Sequence, residues 1–271
     1  MSRFSDKVVI VTGAASGIGE ATARLFADEG AQVVVSDVNA EQGERVATSI
    51  GAHFVHADVA READIETLVS ATLTRYGRID CMINNAGVVG AVGSILDTPA
   101  NYWRATQAVL LDSVFYGIKH AGRVMREQRS GVILSVASVA GVMGGLGPHA
   151  YTAAKHAVIG LTRSAASELS RYGIRVNAVA PGTTITALID EVRGGREQAL
   201  ISAAQSSPLG TALLPEEVAA GLLFLASETA AHITGHTLVI DSGVTGAGAA
   251  SGASVLKGQS MRFVGASHAA D

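Results

Sequence analysis

The chain reads as an α/β protein built on a parallel sheet, and two observations predict it. Seven short apolar runs recur along the 271 residues, with helical patterns between them. The first run, Lys7-Val8-Val9-Ile10-Val11, passes directly into Thr12-Gly13-Ala14-Ala15-Ser16-Gly17-Ile18-Gly19, and a helical pattern continues as far as Gly30. Strand, glycine-rich turn and helix, in that order, is the context in which glycines mean phosphate binding.

Each glycine has a separate task. Gly13 allows the turn, Gly17 lets the backbone approach a pyrophosphate, and Gly19 lets the helix pack close to the sheet. The first amides of that helix, with those of Ser16 and Ile18, face the anion. The second run, Gln32 to Asp37, ends in a carboxylate 18 residues past Gly19. An acid there accepts from the adenosine ribose hydroxyls and repels a 2′-phosphate. Neither Ser16 nor Val38 offers the cation a phosphate would want, so the reading is NAD rather than NADP.

A polar helix spans Glu41 to Ile50, and the third run covers His53 to Val59. Asp58 has two candidate roles, a hydrogen bond to the adenine edge or the N-cap of a helix beginning near Arg61. His53 and His56 fall on opposite strand faces, so neither reads as a metal ligand. The fourth run, Ile79 to Ile83, leads into Asn84-Asn85-Ala86-Gly87, which suits a backbone turn beside the cofactor or plain turn chemistry. A long helix is expected from Pro99 to Arg129. The fifth run, Val132 to Val136, has Ser138 just past its end, where open parallel sheets bind ligands. After a glycine-rich turn a helix runs from Tyr151 to about Tyr172. Two further strands are expected at Arg175–Val179 and Leu238–Asp241, with a helix from Pro215 to Ala226 between them. Residues 187–214 read as a lid over the site or as a surface hairpin.

Composition sets bounds. Charged residues make up only 16% against 48% hydrophobic, below the ~25% charge usual for soluble proteins, which suggests surface buried in an oligomer. A net charge of −4 gives no reason to expect nucleic acid or anionic membrane. The single cysteine, Cys81, excludes an intramolecular disulfide and reads as a buried thiol. No metal site, signal peptide or membrane span is expected, and the chain reads as cytoplasmic.

Tyr151 and Lys155 lie four residues apart, on one helix face. An ammonium there stabilises the phenolate, letting tyrosine act as acid or base. Each unit below the ordinary value near ~10 needs about 1.36 kcal/mol of preference for the anion. The pair alone is an ordinary helix-surface spacing. It gains meaning from the company it keeps: T-G-A-A-S-G-I-G at Thr12–Gly19, Asp37, Asp58-Val59, N-N-A-G at Asn84–Gly87, Ser138 thirteen residues before Tyr151, and P-G-T-T-I-T at Pro181–Thr186.

With these motifs in this order, the chain resembles the short-chain dehydrogenase/reductase family over roughly residues 5–243. The resemblance implies one Rossmann-type, doubly wound domain of seven parallel strands with helices on both faces, ending near residue 243 and continued by an extension over 244–271. It implies hydride transfer with a nicotinamide cofactor. Tyr151 would be the general acid/base, Ser138 would orient the substrate oxygen, and Lys155 would hold the ribose and lower the tyrosine pKa. Asp58 and Val59 would meet the adenine. Asn85, Ala86 and Gly87 would line the cofactor near its ribose. From the Pro181-Gly182 turn, Thr186 would hold the carboxamide with backbone help from Thr184. A homotetramer built on the two long central helices is implied as well.

Three departures stand out. Leu110 occupies a position where the family usually carries an asparagine that supports a proton-relaying water, although Asp112 and Ser113 lie close by. Asp241-Ser242-Gly243 replaces a more usual D-G-G. The tail runs past the family's common end, either to cross to a neighbouring subunit or as disorder. The pocket walls expected from the sequence, Val88, Val89, Met143, Leu146 and Leu188, are apolar, which suits a neutral, bulky alicyclic, terpenoid, steroid-like or aromatic alcohol. His149 would bond a second polar group on the substrate or serve as a capping or turn residue. The reading is an NAD-dependent oxidoreductase of secondary alcohols and ketones. Its rivals are an NADPH-dependent ketone reductase and a non-catalytic dinucleotide-binding regulator, which Leu110 alone favours.

Overall fold

Alternation along each strand decides which face a residue serves. In β1 (Val8–Thr12), Val9 and Val11 point to one side of the sheet and Ile10 to the other. All five residues of β1 are buried because helices cover both faces. The computed structural model describes residues 3–187 and 194–246. Its seven strands form one parallel sheet in the order β3-β2-β1-β4-β5-β6-β7. The others are β2 (Gln32–Asp37), β3 (His53–His56), β4 (Cys81–Asn84), β5 (Gly131–Val136), β6 (Ile174–Pro181) and β7 (Thr237–Ile240).

Helices α1 (Gly17–Asp28), α2 (Ala40–Ser49) and α8 (Pro215–Ala226) close one face. Phe26, Val46, Val218 and Leu222 bury themselves there against Val9, Val11, Val33 and Val35. Helices α3 (Glu62–Tyr76), α5 (Ser113–Gln128) and α6 (His149–Leu169) close the other, through Ile65, Leu68, Ile118 and Val158. The doubly wound α/β fold expected from the sequence is therefore the fold observed. Strand order reverses between β1 and β4, and the crevice at their carboxyl ends is where such sheets hold ligands.

The long helix expected from Pro99 to Arg129 is interrupted. It consists of α4 (Ala100–Gln107), a π-helical turn at Ala108–Asp112 and α5, and it ends with Arg129 at φ +58°. The third strand stops at His56 rather than Val59, because the chain turns at Asp58, whose carboxylate accepts the Ala60 N–H at 3.0 Å. Within 187–214, α7 (Arg196–Ser206) buries Ala199 and Ala203 in a small apolar cluster with Ile185, flanked by Leu200, Ala212 and Leu214. Arg175 ties α8 to β6 by donating to the carbonyls of Leu225, Ala226, Ser227 and Ile233. Cys81 is buried, and burial pushes its thiol up to about 12, so it stays protonated. Among the described residues no helix is long and apolar enough to cross a membrane.

Candidate active site

The cradle at the head of α1 is laced to the turn after β4. A side chain on Gly13, at φ +63°, would bring its Cβ within 2.6 Å of the Ala86 Cα. The Asn85 side chain donates to the carbonyls of Thr12 (2.9 Å) and Gly13 (3.0 Å). In return the Thr12 hydroxyl accepts the Asn85 N–H at 3.1 Å. Thr12 is a site residue that sequence reasoning missed, since its partners lie more than seventy positions away. Gly19 also serves this lacing. A Cβ there would sit 2.1 Å from the Gly13 carbonyl oxygen, just past β1, and 2.5 Å from the Asn85 amide nitrogen, so the glycine makes room for both.

Asp37 stands against the same loop. One carboxylate oxygen accepts the Ala15 N–H at 3.0 Å and the other the Asn39 N–H at 2.9 Å. Asp58 does not cap α3, whose N-cap is Arg61, and Val59 is buried beside it. From the other side Thr186 reaches over the cradle, its methyl 3.1 Å from where a Cβ on Gly17 would lie. Thr184 is buried and donates to the Gly182 carbonyl at 3.1 Å, just past Pro181 at the end of β6. Two left-handed glycines, a helix start that the Ser16 side chain does not cap, and a carboxylate at the next strand end fit the pyrophosphate and ribose of a dinucleotide.

Ser138, Tyr151 and Lys155 come together beyond β5. Ser138 begins a 3₁₀ turn (Val139–Gly141) and its hydroxyl accepts the Ala140 N–H at 3.1 Å. That turn presses on α6 so closely that a Cβ on Gly141 would lie 2.6 Å from the Lys155 carbonyl oxygen. Lys155 is buried, and its Nζ donates to the Val136 carbonyl at 2.7 Å. Nζ stands 5.5 Å from the centre of the Tyr151 ring. Burial raises the Tyr151 pKa, and the Ser138 hydroxyl opposes that rise. Burial also brings Lys155 down to about 8. The lowering expected of this phenol involves Lys155 together with a cationic nicotinamide; in the protein alone, burial is the larger influence on it.

Comparison with known proteins agrees with this geometry. Residues 13–245 match the family described as Enoyl-(Acyl carrier protein) reductase. A maize (Zea mays) protein named sex determination protein tasselseed-2 is 43% identical, over 90% of this chain and 82% of its own length. A mitochondrial borneol dehydrogenase from Lavandula x intermedia is 42% identical, over 90% of this chain and 93% of its own. The crystal structure of levodione reductase superposes with a TM-score of 0.84 at 37% identity, over 89% of this chain and 98% of that one. The chain belongs to the short-chain dehydrogenase/reductase family. It is thus an oxidoreductase of a family that uses nicotinamide dinucleotides.

The side chains expected as pocket walls of this short-chain dehydrogenase/reductase are apolar and open to solvent. Val88, Met143 and Leu146 are 40%, 43% and 42% exposed, and Val89 is half-buried; Leu188 lies outside the described residues. His149 does not serve as a cap. It is exposed at the first position of α6, where it lines a cavity of ≈ 400 Å³ with Ile95, Thr98, Ala100, Trp103 and Arg104. Trp103 and Arg104 join His149 there because α4 meets α6 in the folded chain. Leu110 is buried and packs towards Gly87, so that position is filled by hydrocarbon. The nearby Ser113 hydroxyl donates its proton to the Val109 carbonyl at 2.6 Å. Ser242, which replaces a glycine of the family pattern, takes φ +54°, a conformation that favours glycine.

Proposed function

We propose that the protein is an NAD-dependent oxidoreductase that interconverts a secondary alcohol and its ketone, with Tyr151 as general acid/base. One observation carries this reading: Ser138, Tyr151 and Lys155 are clustered, largely out of water, at the carboxyl end of the sheet. A bound nicotinamide would accept or donate the hydride. The chain's own residues do the rest. Tyr151, as phenolate, takes the proton from the substrate hydroxyl in oxidation and, as phenol, returns it in reduction. The Ser138 hydroxyl bonds the same oxygen and fixes its position. With a pKa of about 8, Lys155 is largely cationic at neutral pH, and its field favours the phenolate over the phenol. Gly13, Ser16, Gly17, Ile18 and Gly19 would hold the pyrophosphate, Asp37 the adenosine ribose, and Thr186 the carboxamide.

The apolar walls at Val88, Val89, Met143 and Leu146 support a neutral, bulky alicyclic or aromatic substrate. So do relatives named for borneol and for zerumbone. The segment 187–214, of which residues 188–193 lie outside the described residues, would be the lid of this pocket. The working form is a cytoplasmic homotetramer.

Purified protein with NAD and a panel of cyclic secondary alcohols tests the reading. Turnover is expected, and Tyr151→Phe should lower kcat by about 10²–10⁴-fold while the variant still binds NADH. A wild-type protein that binds NADH and oxidises none of the panel would instead be the regulator. Cofactor choice is tested separately. Asp37→Ala should raise the NADP-to-NAD ratio of kcat/KM about tenfold or more, because the charge facing a 2′-phosphate is gone. An unchanged ratio would favour the NADPH-dependent rival.

A further inference from the structure

The last two residues of α4 grip the pocket from opposite sides. Thr106 is only 2% exposed. Its hydroxyl accepts the Ala91 N–H at 2.9 Å and donates to the Tyr102 carbonyl at 2.8 Å. Ala91 comes directly after the segment that carries Val88 and Val89. Gly90 lies so near that a Cβ on it would come 2.4 Å from the Thr106 methyl. Gln107, next in the chain, donates its side-chain amide to the Ala150 carbonyl at 2.9 Å. Ala150 is 1% exposed and immediately precedes Tyr151. Its carbonyl also belongs to the first turn of α6, where it accepts from the N–H four residues on, so Gln107 occupies the second lone pair.

Directly after Gln107 the helix widens into the π turn at Ala108–Asp112. Such a turn shifts the angular phase of the helix beyond it, and turns of this kind recur at functional sites. Here it lets α5 pack Val114 and Ile118 into the core while the end of α4 keeps Thr106 and Gln107 aimed at the pocket.

We propose that Thr106 and Gln107 are positioning residues for the reaction. Gln107 fixes the backbone that carries the Tyr151 phenol, Thr106 fixes the facing wall, and together they set the gap in which the reacting oxygen sits. The proposal rests on Tyr151 being the acid/base. It also makes a chemical distinction that a purely structural contact would not. Gln107→Glu keeps the shape of the side chain and abolishes the hydrogen bond when ionised, because a carboxylate has no proton to offer the Ala150 carbonyl and repels it. The protonated acid restores the donor.

The test uses the full chain with NAD and whichever cyclic alcohol the wild type oxidises, cyclohexanol and borneol being the first probes. Gln107→Leu should lower kcat about ten- to a hundredfold through misplacement of the phenol. KM for NAD should stay within about twofold of the wild type, since the cradle is remote from the change. Gln107→Glu should lose activity as pH rises through the carboxyl pKa, a limb missing from the wild-type and Gln107→Leu profiles. Thr106→Ser, which keeps the hydroxyl, should stay near wild type. A readout free of turnover is amide hydrogen exchange of the peptide covering residues 149–155, which should quicken about tenfold in Gln107→Leu. Should both Gln107 variants keep the wild-type kcat, pH profile and exchange rates, the proposal is overturned. A wild-type protein inert towards every alcohol would count against the functional reading instead, and the exchange measurement would still decide whether Gln107 holds the Tyr151 turn.

Discussion

Lys155 carries two opposed demands. As a buried ammonium it weakens the fold, and as a cation near a phenol it serves the chemistry. Its folded pKa of about 8 lies below the ordinary lysine value of 10.5, so the unfolded chain binds the extra proton more readily. The penalty is therefore complete below pH 8 and disappears as pH rises towards 10.5. Lys155→Met should abolish most turnover while removing this dependence. Across that window the stability of the wild type should rise relative to the variant by up to about 3 kcal/mol, measured by denaturant melts at stepped pH. A flat difference would mean that Lys155 is not desolvated in solution. The spacing of Tyr151 and Lys155 was legible in the sequence because four residues make one helical turn. The resting acidity of the phenol was not, because burial depends on what β5 and the 139–141 turn place around it.

Elements here are held in register by glycines whose missing side chains leave room for backbone. Gly141 is the sharpest case, since its turn carries Ser138 and rests on the α6 backbone at Lys155. Gly141→Ala would place a methyl 2.6 Å from a backbone oxygen that cannot rotate away. The turn must shift, at a cost of about 1–3 kcal/mol, and Ser138 shifts with it. A lower melting temperature and a fall in kcat larger than the change in NADH affinity are expected from thermal melts and steady-state rates; unchanged kcat would show that the turn is not what places Ser138. That Gly13 and Gly17 take left-handed turns could be read from their place between a strand and a helix. That Gly19 makes room for Asn85 could not, because Asn85 arrives from the far side of β1 through the β1–β4 pairing. The same holds for the π turn: apolar periodicity predicts one long helix, and a single phase shift inside it leaves too weak a trace in the pattern.

At the scale of the whole molecule, the faces left bare bear on assembly. Phe115 on α5 and Phe224 on α8 are 47% and 41% exposed, and charged residues are scarce at 16%. Both support the homotetramer proposed above. Light scattering should return four times the 27.6 kDa of the chain, and a monomer at micromolar concentration would refute the assembly. The sequence by itself determined the α/β alternation, the positions of the strands, the glycine cradle, the carboxylate after β2 and the Tyr151–Lys155 spacing. These are local patterns, written in periods of two and 3.6 residues and in turns a few residues long. Only the tertiary structure decided that the phenol rests protonated, that Thr12 and Asn85 lace the cradle, and that Gln107 holds the turn before Tyr151. Each depends on burial or on a hydrogen bond between residues far apart in the chain, and such partners exist only once the sheet order has brought their elements together.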